Sequence, residues 1–85
     1  TDGATLRLPT EGLKRLARLG AEQARTAAEA KVGDGGAVVM IPIESVEHAA
    51  IELLRLGSEA EVLAPPALRA AMRATVARLT TLYAT

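Results

Sequence analysis

Leu6 and Leu8 alternate with Thr5 and Arg7 near the start of the chain. A period of two with apolar residues on one side marks a strand with one buried face, here over about residues 4–8. Pro9 closes it. Thr10, followed by Glu11, then offers a cap and a first-turn acid for a helix. Leu13, Leu16, Ala17 and Gly20 recur at helical spacing, which predicts a helix over about 10–20 with Gly20 as its stop. The next stretch points two ways. AEQARTAAEAK is rich in strong helix formers. Asp34-Gly35-Gly36, however, is a hairpin signal directly before an apolar run, and a hairpin needs a strand on each side. Thr26, Ala28, Ala30 and Val32 set against Arg25, Glu29 and Lys31 supply a weak alternation. On the hairpin argument, a strand is expected over about 25–32.

The run AVVMIPI, residues 37–43, is apolar on both faces, as in a central strand or one with a covered outer face. Pro42 sits near its end, where a missing ladder hydrogen bond matters less. Ser45 is a good N-cap with Glu47 in the first turn behind it. Val46, Ala49, Ala50, Leu53 and Leu54 form a helical stripe that Gly57 ends, giving a helix over about 45–56. AEVLA reads as a short strand over about 60–64, ended by Pro65-Pro66. Pro66 suits the first turn of a last helix over about 66–83, with Leu68, Met72, Val76, Leu79 and Leu82 as its stripe.

The expected order is β-α-β-β-α-β plus a C-terminal helix, in a single domain over 1–85. This is a ferredoxin-like α+β sandwich with a four-stranded antiparallel sheet. Right-handed crossovers place the first two helices on one face. The other face would carry Thr5 and Arg7, then Arg25, Glu29 and Lys31, then Val38 and Met40, then Glu61 and Leu63. Exposed aliphatics mixed with cations favour a surface covered by protein, with Val38, Met40 and Leu63 in the interface.

Composition narrows the function. The chain has 85 residues, 49% of them hydrophobic and only one, Tyr83, aromatic, so one modest core is expected and it must be aliphatic. Ten basic and ten acidic residues give zero formal charge, which argues against a free-standing nucleic-acid binder. The lack of cysteine removes disulfides, thiol nucleophiles and zinc–thiolate sites, and fits a cytoplasmic protein. No apolar run approaches the roughly 20 residues of a membrane span. The first residue is not Met, which reads as a domain of a longer protein.

Catalytic chemistry finds little footing. Ser45 and His48 are three apart, but a nucleophile–base pair also needs an orienting group and an oxyanion site. Capping by Ser45 and an ordinary helical His48 explain both residues. Metal binding would need more ligands than Glu44 and Glu47 beside His48. Asp34-Gly35-Gly36 lacks the lysine and the strand-to-helix setting of a phosphate loop. Acylphosphatases, enzymes on this fold, need an asparagine, and the chain has none. No catalytic residue, metal or cofactor is therefore assigned, and the chain reads as non-enzymatic. Without sheet aromatics, base stacking is disfavoured, but phosphate contact stays open to Arg7, Arg25 and Lys31. On the last helix Arg69 and Arg73 share a face, Arg78 lies roughly opposite, and no acid follows Glu61.

Residues Leu53 to Tyr83 carry a family likeness. A helix ends at Gly57, the strand Glu61-Val62-Leu63 runs to Pro65, Leu68-Arg69 opens a final helix, and Tyr83 stands near its end. This stretch resembles the C-terminal extension, or WCX, domain of bacterial WYL-domain transcriptional regulators. The upstream strand, helix, DG turn and apolar strand match mainly in layout. The resemblance implies the same ferredoxin-like fold and a regulatory domain that mediates homodimerisation and assists effector sensing, single-stranded nucleic acid being among the effectors. It also implies WYL and winged helix-turn-helix domains as partners in the same parent chain, with DNA reading residing there. Arg7, Arg25, Lys31, Arg69 and Arg73 are the expected effector or phosphate contacts. The alternative is an ACT-like small-molecule-binding module, which would use the turn after the first strand, where Gly12 is the only hint.

Overall fold

The computed structural model describes residues 2–84. Strand β1 (Asp2–Leu8) leads into helix α1 (Thr10–Ala17) and then helix α2 (Ala21–Glu29). Strand β2 (Ala37–Ile43) and helix α3 (Val46–Leu53) follow, with a 3-10 turn at Leu54–Leu56. Strand β3 (Glu61–Ala64) and helix α4 (Pro66–Leu82) complete the chain. The sheet is antiparallel with three strands in the order β2-β1-β3.

Period-two patterning sets which side chains enter the core. Ala4, Leu6 and Leu8 of β1 are buried, as are Ala37, Val39, Ile41 and Ile43 of β2. Register stacks them: Leu6 lies opposite Val39 on one side and Val62 on the other. Val62 is buried too, so the central layer is a row of three aliphatic residues across the sheet. Leu13 and Leu16 from α1, Ala49, Ala50 and Leu53 from α3, Leu56, and Leu68 from α4 close over this face. No polar or charged residue is buried among the described residues.

The fourth strand does not form. Residues 25–32, expected as a strand, lie mostly in α2, and the four-stranded ferredoxin-like sheet is replaced by a mixed α+β sandwich with three strands. The reason lies in what each conformation gains. A strand of Thr26, Ala28 and Ala30 has little side chain to pack across a ladder, whereas Ala, Glu, Gln and Arg rank high in helix propensity. The turn itself survives. Gly33 and Gly36 exchange both backbone hydrogen bonds at 3.1 Å around Asp34-Gly35, but the pairing extends no further. Gly36 has φ 88°, and a Cβ there would meet the Leu8 carbonyl oxygen at 2.7 Å, so only glycine serves. As a consequence β2 is an edge strand.

Helix ends also shift. Thr10 is the first residue of α1 rather than its cap, which is Pro9, and the helix stops at Ala17 rather than Gly20. Gly20 instead precedes α2. Ser45 caps α3 as expected, its hydroxyl accepting the His48 backbone N–H at 3.1 Å. Gly57 ends the 3-10 turn with φ 62°.

Candidate functional site

The outer sheet face follows the parity argument. Arg7 lies opposite Val38 on β2 and Glu61 on β3, and Thr5 lies opposite Met40. Val38 and Met40 are 59% and 69% exposed, far more than a core assignment would allow. Leu63 differs from its neighbours. The β1–β3 register slips between Thr5 and Leu6, so Leu63 falls at the irregularity and is half-buried.

Three of the five basic candidates gather along this side. The Arg7 Nη1 donates to Glu61 Oε1 at 3.5 Å, and Arg69 Nη1 donates to Glu61 Oε2 at 3.3 Å. Arg69 also donates to the Val62 carbonyl oxygen at 2.7 Å, which ties the first turn of α4 to β3. Glu61 is thus shared by two guanidinium groups, leaving one net positive charge. Arg73 joins the same shallow groove between α4, β3 and the Gly57–Ala60 turn. Each of these ions is about half exposed, so each pair adds at most about 1 kcal/mol to stability. Two arginines are thus anchored on one carboxylate, with Arg73 beside them.

Arg25 and Lys31 are not part of this group. The expected strand would have placed them on the outer face; instead Arg25 lies exposed on α2 and Lys31 just beyond its end. Sequence reasoning also missed Glu61 as the hub. Its partners are 54 residues upstream and eight downstream, and no local period links them. Arg15 was missed as well. From α1 its Nη1 donates to the Leu56 carbonyl oxygen at 3.3 Å, satisfying the end of the 3-10 turn.

The two alternatives for chemistry change character. Ser45 Oγ is engaged as a cap, so its geometry toward His48 is that of a helix end. Among the described residues no three His, Asp or Glu side chains converge on a metal position. Gly12, the one hint of an ACT-like ligand turn, is buried inside α1, where an added Cβ would collide with the Glu59 carbonyl oxygen. That glycine lets α1 lie close to the 57–60 turn and leaves no room for a ligand. No helix among the described residues is long and apolar enough to cross a membrane.

A second depression lies between α2, α3 and the β2 edge. It encloses about 340 Å³, with Leu19, Ile41 and Ile43 in its lining and Glu22, Glu44 and Glu52 around it. His48 also lines it, and no lysine or arginine does.

No curated protein and no solved structure gives a significant match to the chain. A family model does, over residues 2–80, which takes in every strand and nearly all of the last helix. The chain belongs to the WCX domain family.

Proposed function

We propose that this chain is the non-catalytic regulatory domain of a bacterial transcriptional regulator, one that mediates dimerisation and assists effector sensing. The observation that carries this reading is membership of the WCX family across residues 2–80. Two features of the surface support it. Val38 and Met40 form an exposed aliphatic strip of the kind that partners cover. Beside it Arg69 and Arg73 line a partly neutralised cationic groove, joined to Arg7 through Glu61, that suits a phosphate-bearing effector. The expected partners are a second copy and the WYL and winged helix-turn-helix domains of the parent chain, in the cytoplasm. The ACT-like alternative loses its one supporting residue because Gly12 is a packing glycine.

The test uses the parent regulator with and without this domain. Sedimentation should show weaker dimerisation on deletion. Titration with single-stranded oligonucleotide should change promoter binding in the intact parent and lose that effect in Arg7→Glu/Arg73→Glu. A parent whose dimer and effector response are both indifferent to deletion would overturn the reading.

A further inference from the structure

The last helix is only half used. Leu68, Met72, Val76, Leu79 and Tyr83 fall on one stripe at about 100° per residue. Leu68 is fully buried, but exposure then rises to 51% at Val76, 39% at Leu79, 71% at Leu82 and 79% at Tyr83. The helix packs its first half on α3 and β3 and carries the rest of the apolar stripe away from the body. Arg78 flanks the stripe on one side and Arg73 on the other, with no acidic residue after Glu61. The shape agrees. The chain exposes 5635 Å², against about 4800 Å² for a compact monomer of its mass. That excess is close to the roughly 800 Å² each partner contributes to a standard interface.

The depression between α2, α3 and the β2 edge is the complement of this helix end. It is apolar below, carries Glu22, Glu44 and Glu52 around it, and has no cation in its lining. Glu52 is held at 3.2 Å by Arg55, itself exposed, which leaves Glu22 and Glu44 as the unneutralised acids. None of the residues of α4 lines it, so the chain does not fill the groove with its own helix. The cationic end of α4 and the acidic rim of the groove are therefore two surfaces of opposite charge, each with an apolar centre. We infer that the C-terminal half of α4 docks into the α2–α3 groove of a second copy of this chain, with Val76, Leu79 and Tyr83 entering the groove and Arg78 meeting its glutamates. Two such contacts, made reciprocally, close a two-fold dimer. This rests on the dimerisation reading above and specifies its surface.

Charge reversal tests it on the 85-residue chain. The wild type should show a dimer mass by light scattering across the micromolar range. Arg78→Glu and Glu44→Lys should each weaken the dimer about tenfold or more, with unchanged helical circular dichroism. An equimolar mixture of the two variants should recover the dimer, because each mixed contact is either native or doubly reversed. Leu79→Asp should dissociate it without a rescuing partner. A monomer mass throughout the range overturns the inference. So does a dimer that ignores all three variants. If such a dimer is instead broken by Val38→Ser/Met40→Ser, dimerisation through the outer sheet face stands and only the helix–groove contact falls.

Discussion

Helices α1 and α2 are neighbours of nearly equal length, eight and nine residues, yet they are held in different ways. In α1, Gly12, Leu13 and Leu16 are buried, and Arg15 is tied to the 3-10 turn. In α2 no residue is fully buried, and among the described residues its only side-chain hydrogen bond is the local one from Thr26 Oγ1 to the Glu22 carbonyl oxygen. Tertiary burial makes α1 part of the core. High intrinsic propensity together with packing of its half-buried side, Ala27 included, on α1 and β2 makes α2 a helix. The difference explains why the pattern of residues 13–20 led to the right element and that of 25–32 did not. A buried stripe leaves a periodic signature in sequence. A helix that only half-buries small residues such as Ala24 and Ala27 leaves little beyond composition, and composition yields when a turn signal stands next to it.

The largest test of this contrast is Leu16→Ala, expected to cost about 2–5 kcal/mol in chemical denaturation because it empties a fully enclosed site. A loss under about 1 kcal/mol would mean that α1 is no better anchored than α2. Gly12→Ala comes next. Its new methyl group meets the Glu59 carbonyl oxygen, so α1 must shift, at about 1–3 kcal/mol. Free substitution there would show that the close approach is dispensable. Ala24→Gly in α2 should cost about 1 kcal/mol or less through propensity alone. Hydrogen exchange on the same samples should find α2 amides opening locally while those of α1 follow global unfolding. Equal protection in both helices would erase the contrast. Smallest of all, Arg25→Ala on exposed α2 should change stability by no more than about 0.5 kcal/mol; a larger change would reveal a role for α2 in cohesion.

The second half of the chain was more legible than the first. Val62 inward, Glu61 outward, Pro65 before the helix and Leu68 as its anchor all follow from local rules, and all are found. So was the outward aim of Thr5, Arg7, Val38 and Met40, because alternation on β1 and β2 is strict and one face is buried. Leu63 escaped that rule since a register slip beside it breaks the alternation. The cationic group was half legible. Arg7, Arg69 and Arg73 were named from charge, but their assembly about Glu61 depends on β3 lying beside β1, a contact far apart in sequence. Arg25 and Lys31 left the group with the strand that was to carry them.

Residue chemistry alone determined much about this protein. It set the aliphatic core, the inward and outward faces of β1 and β2, the cap at Ser45, the lack of cysteine chemistry and the family signature from Leu53 to Tyr83. These are properties of neighbours, settled by periods of two or 3.6 and by single-residue preferences. Tertiary structure decided what needed distant partners. With no fourth strand to pair it, β2 became an edge. Gly12 became a packing contact rather than a ligand turn because the Glu59 carbonyl lies against it. The stripe of α4 was split into a buried half and an exposed half, since the body of the domain ends before the helix does. The physical reason is common to all three. A local pattern states which side of an element is apolar, but only the assembled fold supplies, or withholds, the surface that covers it.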